Sequence, residues 1–392
     1  MPVLKDYAQF GHTHWETGTL TSVLAYIMDD PISEALLFGT SGGIVAGYTV
    51  TDDKLPHLNL LTRSPFHPLD TIIERLKLPT DDRRTSRPDR ASLYLHEALA
   101  EGHAVIVWVD TNELPYTVFS SSSSVQPIVV YGYDDEQVYL ADRAGVPLIV
   151  SAADFERARS HAVSEQYRQM TVGTPHSSRL ALAARLGIES CLRDFLEEPP
   201  MKELRGRFGL AAFEYWVHQL ESPADSGWHK QYPPGRRLVS MLASAYQSIN
   251  LNGTGGNGSR AMFADFLDEA AVMLDKPMLN EMAALWRENL RLWSALNDAL
   301  LPPDIADFAQ LRSLMQSEYD LFLLDGMASL PTRQDIHQQI DELKTQMGRK
   351  FPLTKRQAGE MLANLRDTLL AIYTAESNSV QNLKEVMLAV GV

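Results

Sequence analysis

The segment GHTHWETGTL, Gly11–Leu20, places two imidazoles and a carboxylate directly ahead of an apolar stretch that reads as a buried helix. The start of a helix presents unsatisfied backbone N–H groups and the positive end of the helix dipole, a setting that stabilises negative charge. His14 is the candidate general base there, because an imidazole both accepts and donates protons near neutral pH. Glu16 is placed to orient it or to act in its stead, and the backbone N–H groups of Glu16 and Thr17 could hold a developing oxyanion. The same residues also suit a structural role, with Thr13 or Thr17 capping the helix and Glu16 complementing its dipole.

Three other segments carry usable groups. In GTSGG, Gly39–Gly43, the glycines allow a ligand close to backbone at Ser41 and Gly42, and they equally allow a tight helix-to-strand turn. In LPY, Tyr116 offers a phenol beside an apolar wall just past a buried strand. In GTGGNGSR, glycine-rich backbone runs into a helix start bearing Arg260, which reads as an anion cradle or as a linker with Ser259 as N-cap. The serine run Ser120–Ser124 has no adjacent base and reads as a loop or lid. No HExxH spacing occurs, and His12 with His14 is too generic a pair for a zinc site, so neither a metal nor a cofactor is expected.

The elements that must hold these groups divide the chain in two. Up to about residue 175, helices at 20–28, 33–39, 69–76 and 90–101 accompany strands at 44–50, 57–62, 104–110, 127–133, 137–141 and 167–172, with a charged loop through Pro88. Helices first and strands later describe an α+β domain. From 176 to 392 every periodic segment is helical, ending in separate helices at 354–375 and 380–390. Domains of 1–175 and 176–392 follow.

With 35 Lys and Arg against 50 Asp and Glu, the chain has a formal net charge of −15 and lacks the overall attraction that drives binding to nucleic acid or anionic membrane. Cys191 is the only cysteine, which excludes an internal disulfide and fits a reducing compartment. It lies on the apolar face of a helix beside Ile188, Leu192 and Phe195, as a small core residue. No long apolar segment or leader-like N-terminus is evident, and a cytoplasmic location is the expectation.

The strings HWETGTLTSVLAY, ISEALLFGTSGGIVAGY, VIVWVDTNELPY and PIVVYGYDDEQVYLADR, in that order, resemble the N-terminal domain of the butirosin biosynthesis protein H family. FGLAAFEYW followed by NGTGGNGSRAMFADFLDEAA resembles the helical domain usually fused behind it. The resemblance implies a papain-like, cysteine-peptidase-like domain and an acyltransferase that moves an acyl group from a carrier-protein thioester to an amine. Where that family commonly has His-Cys, this chain has His14-Trp15, and Gln126 stands where a histidine is expected; Asp142, in LADR, remains of the implied triad. Trp15 would then fill the vacated pocket. The resulting expectation is acyl transfer without a covalent cysteine intermediate, in small-molecule or peptide-tailoring metabolism, by direct attack of an acceptor amine on a bound thioester. The acceptor would be a small molecule or peptide, an acyl carrier protein is a candidate partner, and homo-oligomerisation stays open. The alternatives are a catalytically inactive binding protein on the same scaffold, or a hydrolase in which His14 and Glu16 activate water.

Overall fold

A computed structural model describes residues 3–52, 54–118, 125–134 and 136–389; the serine run Ser120–Ser124 lies outside them. Contacts divide the chain into two compact units whose segments alternate along the sequence. The first comprises Met1–Leu37, Leu69–Arg179 and Ser317–His337, and the second Phe38–Pro68, Leu180–Gln316 and Gln338–Val392. A single cut near residue 175 therefore misses two exchanges: the segment around the first hairpin joins the helical unit, and a later helical segment joins the sheet unit.

In the first unit, α1 (Trp15–Ile27) packs against an antiparallel sheet of six strands in the order β3-β8-β4-β5-β6-β7. These strands are β3 (Thr80–Arg83), β4 (Val105–Asp110), β5 (Val125–Tyr133), β6 (Gln137–Ala141), β7 (Leu148–Ser151) and β8 (Gln169–Val172). β4 is buried along its whole length, as its β-branched sequence VIVWVD requires for a strand covered on both faces. Leu20, Val23 and Leu24 of α1 are buried, and Thr19 Oγ1 donates to the Pro127 carbonyl of β5 at 3.2 Å. Helices α3 (Pro68–Leu76), α4 (Pro88–Ala100) and α5 (Ala152–His161) complete the unit's regular elements, with the end of α12 and the start of α13 described below.

The charged stretch expected as a loop through Pro88 contains edge strand β3. Its Asp82 pairs with Arg168 at 2.8 Å, so the partner that orders it lies far along the chain. Such charge is also what an edge strand uses to resist pairing with another chain. Strand β7 and helix α5 were likewise not anticipated; Ser151 caps α5 by accepting from Asp154 N–H at 3.0 Å.

The second unit contains the hairpin β1 (Ile44–Asp52) and β2 (Pro56–Arg63) with a set of helices. These are α6 (Leu180–Leu196), α7 (Leu210–Glu221), α8 (Trp228–Gln231), α9 (Arg236–Asn250), α10 (Arg260–Met273), α11 (Met278–Leu300) and α14 (Lys355–Ala389). Helices α2 (Glu34–Thr40), α12 (Ala306–Asp325) and α13 (Leu330–Arg349) each contribute residues to both units. Ser33 caps α2, accepting from Leu36 N–H at 3.0 Å. The hairpin is anchored to α9 by Leu58 N–H, which donates to Ser244 Oγ at 2.8 Å, and Trp228 Nε1 donates to Tyr48 at 3.0 Å.

The two helices expected at 354–375 and 380–390 form one helix of 35 residues, α14. The polar residues between the two expected helices are ordered from inside. Glu376 is fully buried and accepts from Arg260 Nε and Trp293 Nε1, both at 3.0 Å, while Ser379 accepts from Asn289 at 3.0 Å.

Removing one member of a fully buried ion pair strands the other, at a cost of about 3–5 kcal/mol. Glu376→Ala should therefore destabilise the protein by that order in chemical denaturation. The double variant Arg260→Met, Glu376→Leu should recover most of the loss, because it strands no charge.

Candidate functional site

The start of α1 is set by a carboxylate from the next helix. Glu34 accepts from the backbone N–H of Thr13 at 2.9 Å and of His14 at 2.7 Å, and from the Thr17 hydroxyl at 3.4 Å. Burial raises its pKa, and those donated hydrogen bonds oppose the rise. His14, rather than Thr13 or Thr17, is the N-cap. Its Nδ1 accepts from Thr17 N–H at 3.4 Å and lies 3.1 Å from the Thr17 hydroxyl. The cap needs the lone pair on Nδ1, which puts the ring proton of neutral His14 on Nε2. Glu16 Oε2 is 3.5 Å from the same Nδ1, so a protonated His14 would exchange the cap for an ion pair with Glu16. The Thr17 N–H, expected to be open to an oxyanion, is instead engaged by this imidazole.

Trp15 is the first residue of α1, and Arg143 lies across its ring with Cζ 4.2 Å from the centroid. Asp142, immediately after β6, is 2% exposed; it accepts from the Tyr116 hydroxyl at 3.1 Å and from Arg143 N–H at 2.7 Å. Burial, followed by the neighbouring Asp142 charge, pushes the Tyr116 phenol well above its usual pKa. Tyr116 stacks on Phe322, and its carbonyl accepts from Arg333 at 2.8 Å. Gln126, the second residue of β5, stands opposite Val109. With Val129 opposite Ala141, the register carried one residue past the end of β6 would set Asp142 opposite Ile128, on the strand face that Gln126 shares. His14, Trp15, Glu16, Thr17, Tyr116, Gln126 and Asp142 thus all belong to the first unit.

Ser41, Gly42 and Arg260 belong to the second unit and have structural tasks there. The Ser41 hydroxyl donates to the Phe38 carbonyl at 2.6 Å at the end of α2, and Gly42, at φ 122, turns the chain towards β1. The anion cradle expected at Arg260 is a correction: the guanidinium is fully buried, paired with Glu376, and donates to the Thr62 and Gly258 carbonyls at 3.2 and 2.8 Å. Cys191 is also buried, with Sγ 3.5 Å from the Ile44 carbonyl, and burial raises its thiol pKa well above the ordinary value. Among the described residues no group of three or more His, Cys, Asp or Glu could hold a metal ion, and no helix is long and apolar enough to cross a membrane.

Residues 14–143 match the family model described as butirosin biosynthesis protein H, N-terminal. This segment is a butirosin biosynthesis protein H N-terminal domain. Residues 153–302 match a domain of unknown function (DUF4872), so this helical domain follows the family domain as anticipated. No curated protein matches the chain.

Sequence reasoning gave no role to Glu34 or Arg143 and weighed His12 only as half of a generic histidine pair. Glu34 looked like an ordinary first-turn acid, and Arg143 was overshadowed by its neighbour Asp142. For His12 a signal existed in Gly18, a glycine inside a helix. A Cβ at Gly18 would collide with the His12 ring, so its absence makes room for the imidazole. His12 is 8% exposed, and burial, against the attraction of Asp142 and with the repulsion of Arg143, lowers its pKa to about 4.

Two outcomes follow for stability. Glu34→Gln leaves only one oxygen for two converging N–H groups and turns an NH₂ towards one of them; it should cost about 1–3 kcal/mol in denaturant unfolding. For His12, the unfolded chain takes up a proton near pH 6.5 while the fold resists until about 4. Stability should fall as pH drops through that window, by up to about 3 kcal/mol. Urea titrations of the wild type and His12→Gln between pH 7.5 and 4 should show this contribution to the slope lost in the variant.

Proposed function

We propose that this protein serves the acyl-transfer chemistry of small-molecule or peptide-tailoring biosynthesis by binding an acylated ligand without forming a covalent acyl-enzyme. The observation that carries the reading is the occupant of the first position of α1. Trp15 stands there with Arg143 stacked on it, and an indole cannot attack a thioester. The sole cysteine is buried with its thiol held protonated, which argues against a substitute nucleophile. The papain-like comparison belongs to this reading, because a helix start set against β5, with Gln126 on β5 and Asp142 just past β6 set on one face by that register, is consistent with a triad emptied of its reactive members. The family name supplies the biosynthetic setting.

The closed polar network favours binding over catalysis. The basic nitrogen of His14 caps the helix, and Asp142 already accepts from Tyr116 and Arg143. The contact between His14 and Glu16 supports a second reading, direct aminolysis of a bound thioester. In that reading His14 leaves the cap, takes the proton of the acceptor amine as the amine nitrogen bonds to the acyl carbon, and the thiolate departs. Transfer to water instead would make the same pair a hydrolase.

Incubation with a panel of acyl thioesters, followed by intact mass, should give no acyl adduct, and Cys191→Ala should bind and react as the wild type does. An adduct that disappears in Cys191→Ala would overturn the proposal. His14→Asn preserves a capping side chain while removing the base. Ligand binding unchanged in that variant, without turnover in either protein, supports the binding reading; a ~10²- to 10⁴-fold loss of measurable turnover would establish the second.

A further inference from the structure

Two arginines lie 4.2 Å from the centre of a tryptophan ring, and their edges are treated in opposite ways. Arg260, over Trp293, donates from Nε and Nη2 to Glu376 and from Nη1 to two carbonyl oxygens. Arg143, over Trp15, also has the Phe322 and Tyr319 rings at 5.5 and 5.8 Å, yet its side chain donates no hydrogen bond among the described residues. The side chain is only 13% exposed, and its Nε is buried without a partner. The nearest carboxylate oxygen, Oδ1 of Asp142, is 4.0 Å from Nε, beyond hydrogen-bonding range. Guanidinium donors lie in the plane of the group, so aromatic rings over its faces leave the donors directed outward from the edge.

His12 is a second poorly satisfied group nearby. Neither buried ring nitrogen makes a hydrogen bond of good geometry among the described residues, the backbone of His14 offering only a weak one, and the ring rests against the gap left by Gly18. Asp142 and Arg143 are the charges that act on it. The arm that carries it is pinned beside the turn after β6, because Gly11 N–H donates to the Ala144 carbonyl at 3.0 Å. Buried polar atoms without partners are rare in native proteins, and a cluster of them calls for a missing group. Donors predominate here, since neutral His12 offers one N–H and Arg143 several, while the Asp142 oxygens already accept from Tyr116 and Arg143 N–H.

We propose that Arg143 and His12 form a recognition site for a compact oxyanion, a carboxylate or phosphate oxygen of a ligand bound by the first unit. The guanidinium edge supplies charge and paired N–H donors, the imidazole supplies a further N–H, and Trp15 fixes the plane of the guanidinium. A carboxylate on an amino-acid-like ligand and the phosphate of a pantetheine arm offer the same chemistry. The site does not depend on whether any acyl group is transferred.

Two pairs of probes separate the sources: N-acetylglycine against N-acetylglycinamide for a carboxylate, and 4′-phosphopantetheine against pantetheine for a phosphate. Calorimetry on the full chain at low salt should show at least one anionic probe binding about tenfold or more tightly than its neutral mate, with the margin shrinking as salt screens it. Arg143→Gln should abolish the preference. Arg143→Lys should keep part of it, having the charge without the planar fork. In NMR titrations the His12 imidazole, held neutral down to about pH 4 in the free protein, should protonate at higher pH once the anion is bound. Circular dichroism checks that each variant is folded. Failure of both anionic probes to outbind their mates, or an equal preference in folded Arg143→Gln, overturns the assignment. If Arg143→Gln does not fold, the wild-type titration decides, and a His12 signal unmoved by saturating probe overturns it equally.

Discussion

The start of α1 depends on one partly buried carboxylate. Glu34 gathers the N–H groups of Thr13 and His14 and the Thr17 hydroxyl, and so fixes the direction in which the chain enters the helix. Burying that carboxylate raises its pKa, which means the fold accepts an electrostatic penalty to hold the entry in place. Everything chemical in the first unit follows from this entry. His14 falls at the cap, Trp15 becomes the first helical residue under Arg143, and His12 comes to lie over Gly18.

A helix start is ordinarily a place where polarity is exposed for use. Here its parts are consumed internally: an imidazole satisfies a backbone donor, an indole covers the first turn, and an arginine covers the indole. The contacts at this position are packing and cation–π, an attraction that strengthens as water is excluded. The polar character that survives sits one step aside, at the arm and at the turn after β6.

Patterns of local origin were legible in the sequence. The apolar run before Met28, the β-branched strand ending at Asp110 and the helical periodicity after residue 175 declare themselves within a few residues, and the structure has each of them. What escaped was set by distant partners. Thr80–Arg83 reads as a charged loop until Arg168 is brought beside Asp82, and Glu376 falls between two expected helices until Arg260 and Trp293 enclose it. Arg260 itself invited an anion, and only the fold reveals that Glu376 already occupies that role. The same limit hid part of the candidate site. His14, Trp15 and Asp142 were legible from motif and resemblance, whereas Glu34 and Arg143 acquire meaning only through what they touch.

The alternation of segments between the two units has a consequence for how the protein is made. The sheet unit draws on Ser317–His337, whose Leu323 carbonyl accepts from Gly145 N–H at 2.7 Å and whose Arg333 holds the Tyr116 carbonyl. A ribosome emits the chain from the N-terminus, so the sheet can be assembled long before these closing contacts exist. More than a hundred residues, including most of the helices, must emerge while Tyr116 waits for Phe322 and Arg333. Such late, long-range closure slows folding and leaves apolar surface bare during synthesis. Completion of the sheet unit therefore waits until residues 317–337 have emerged, and a nascent chain stalled before residue 317 carries the sheet without the segment that finishes it.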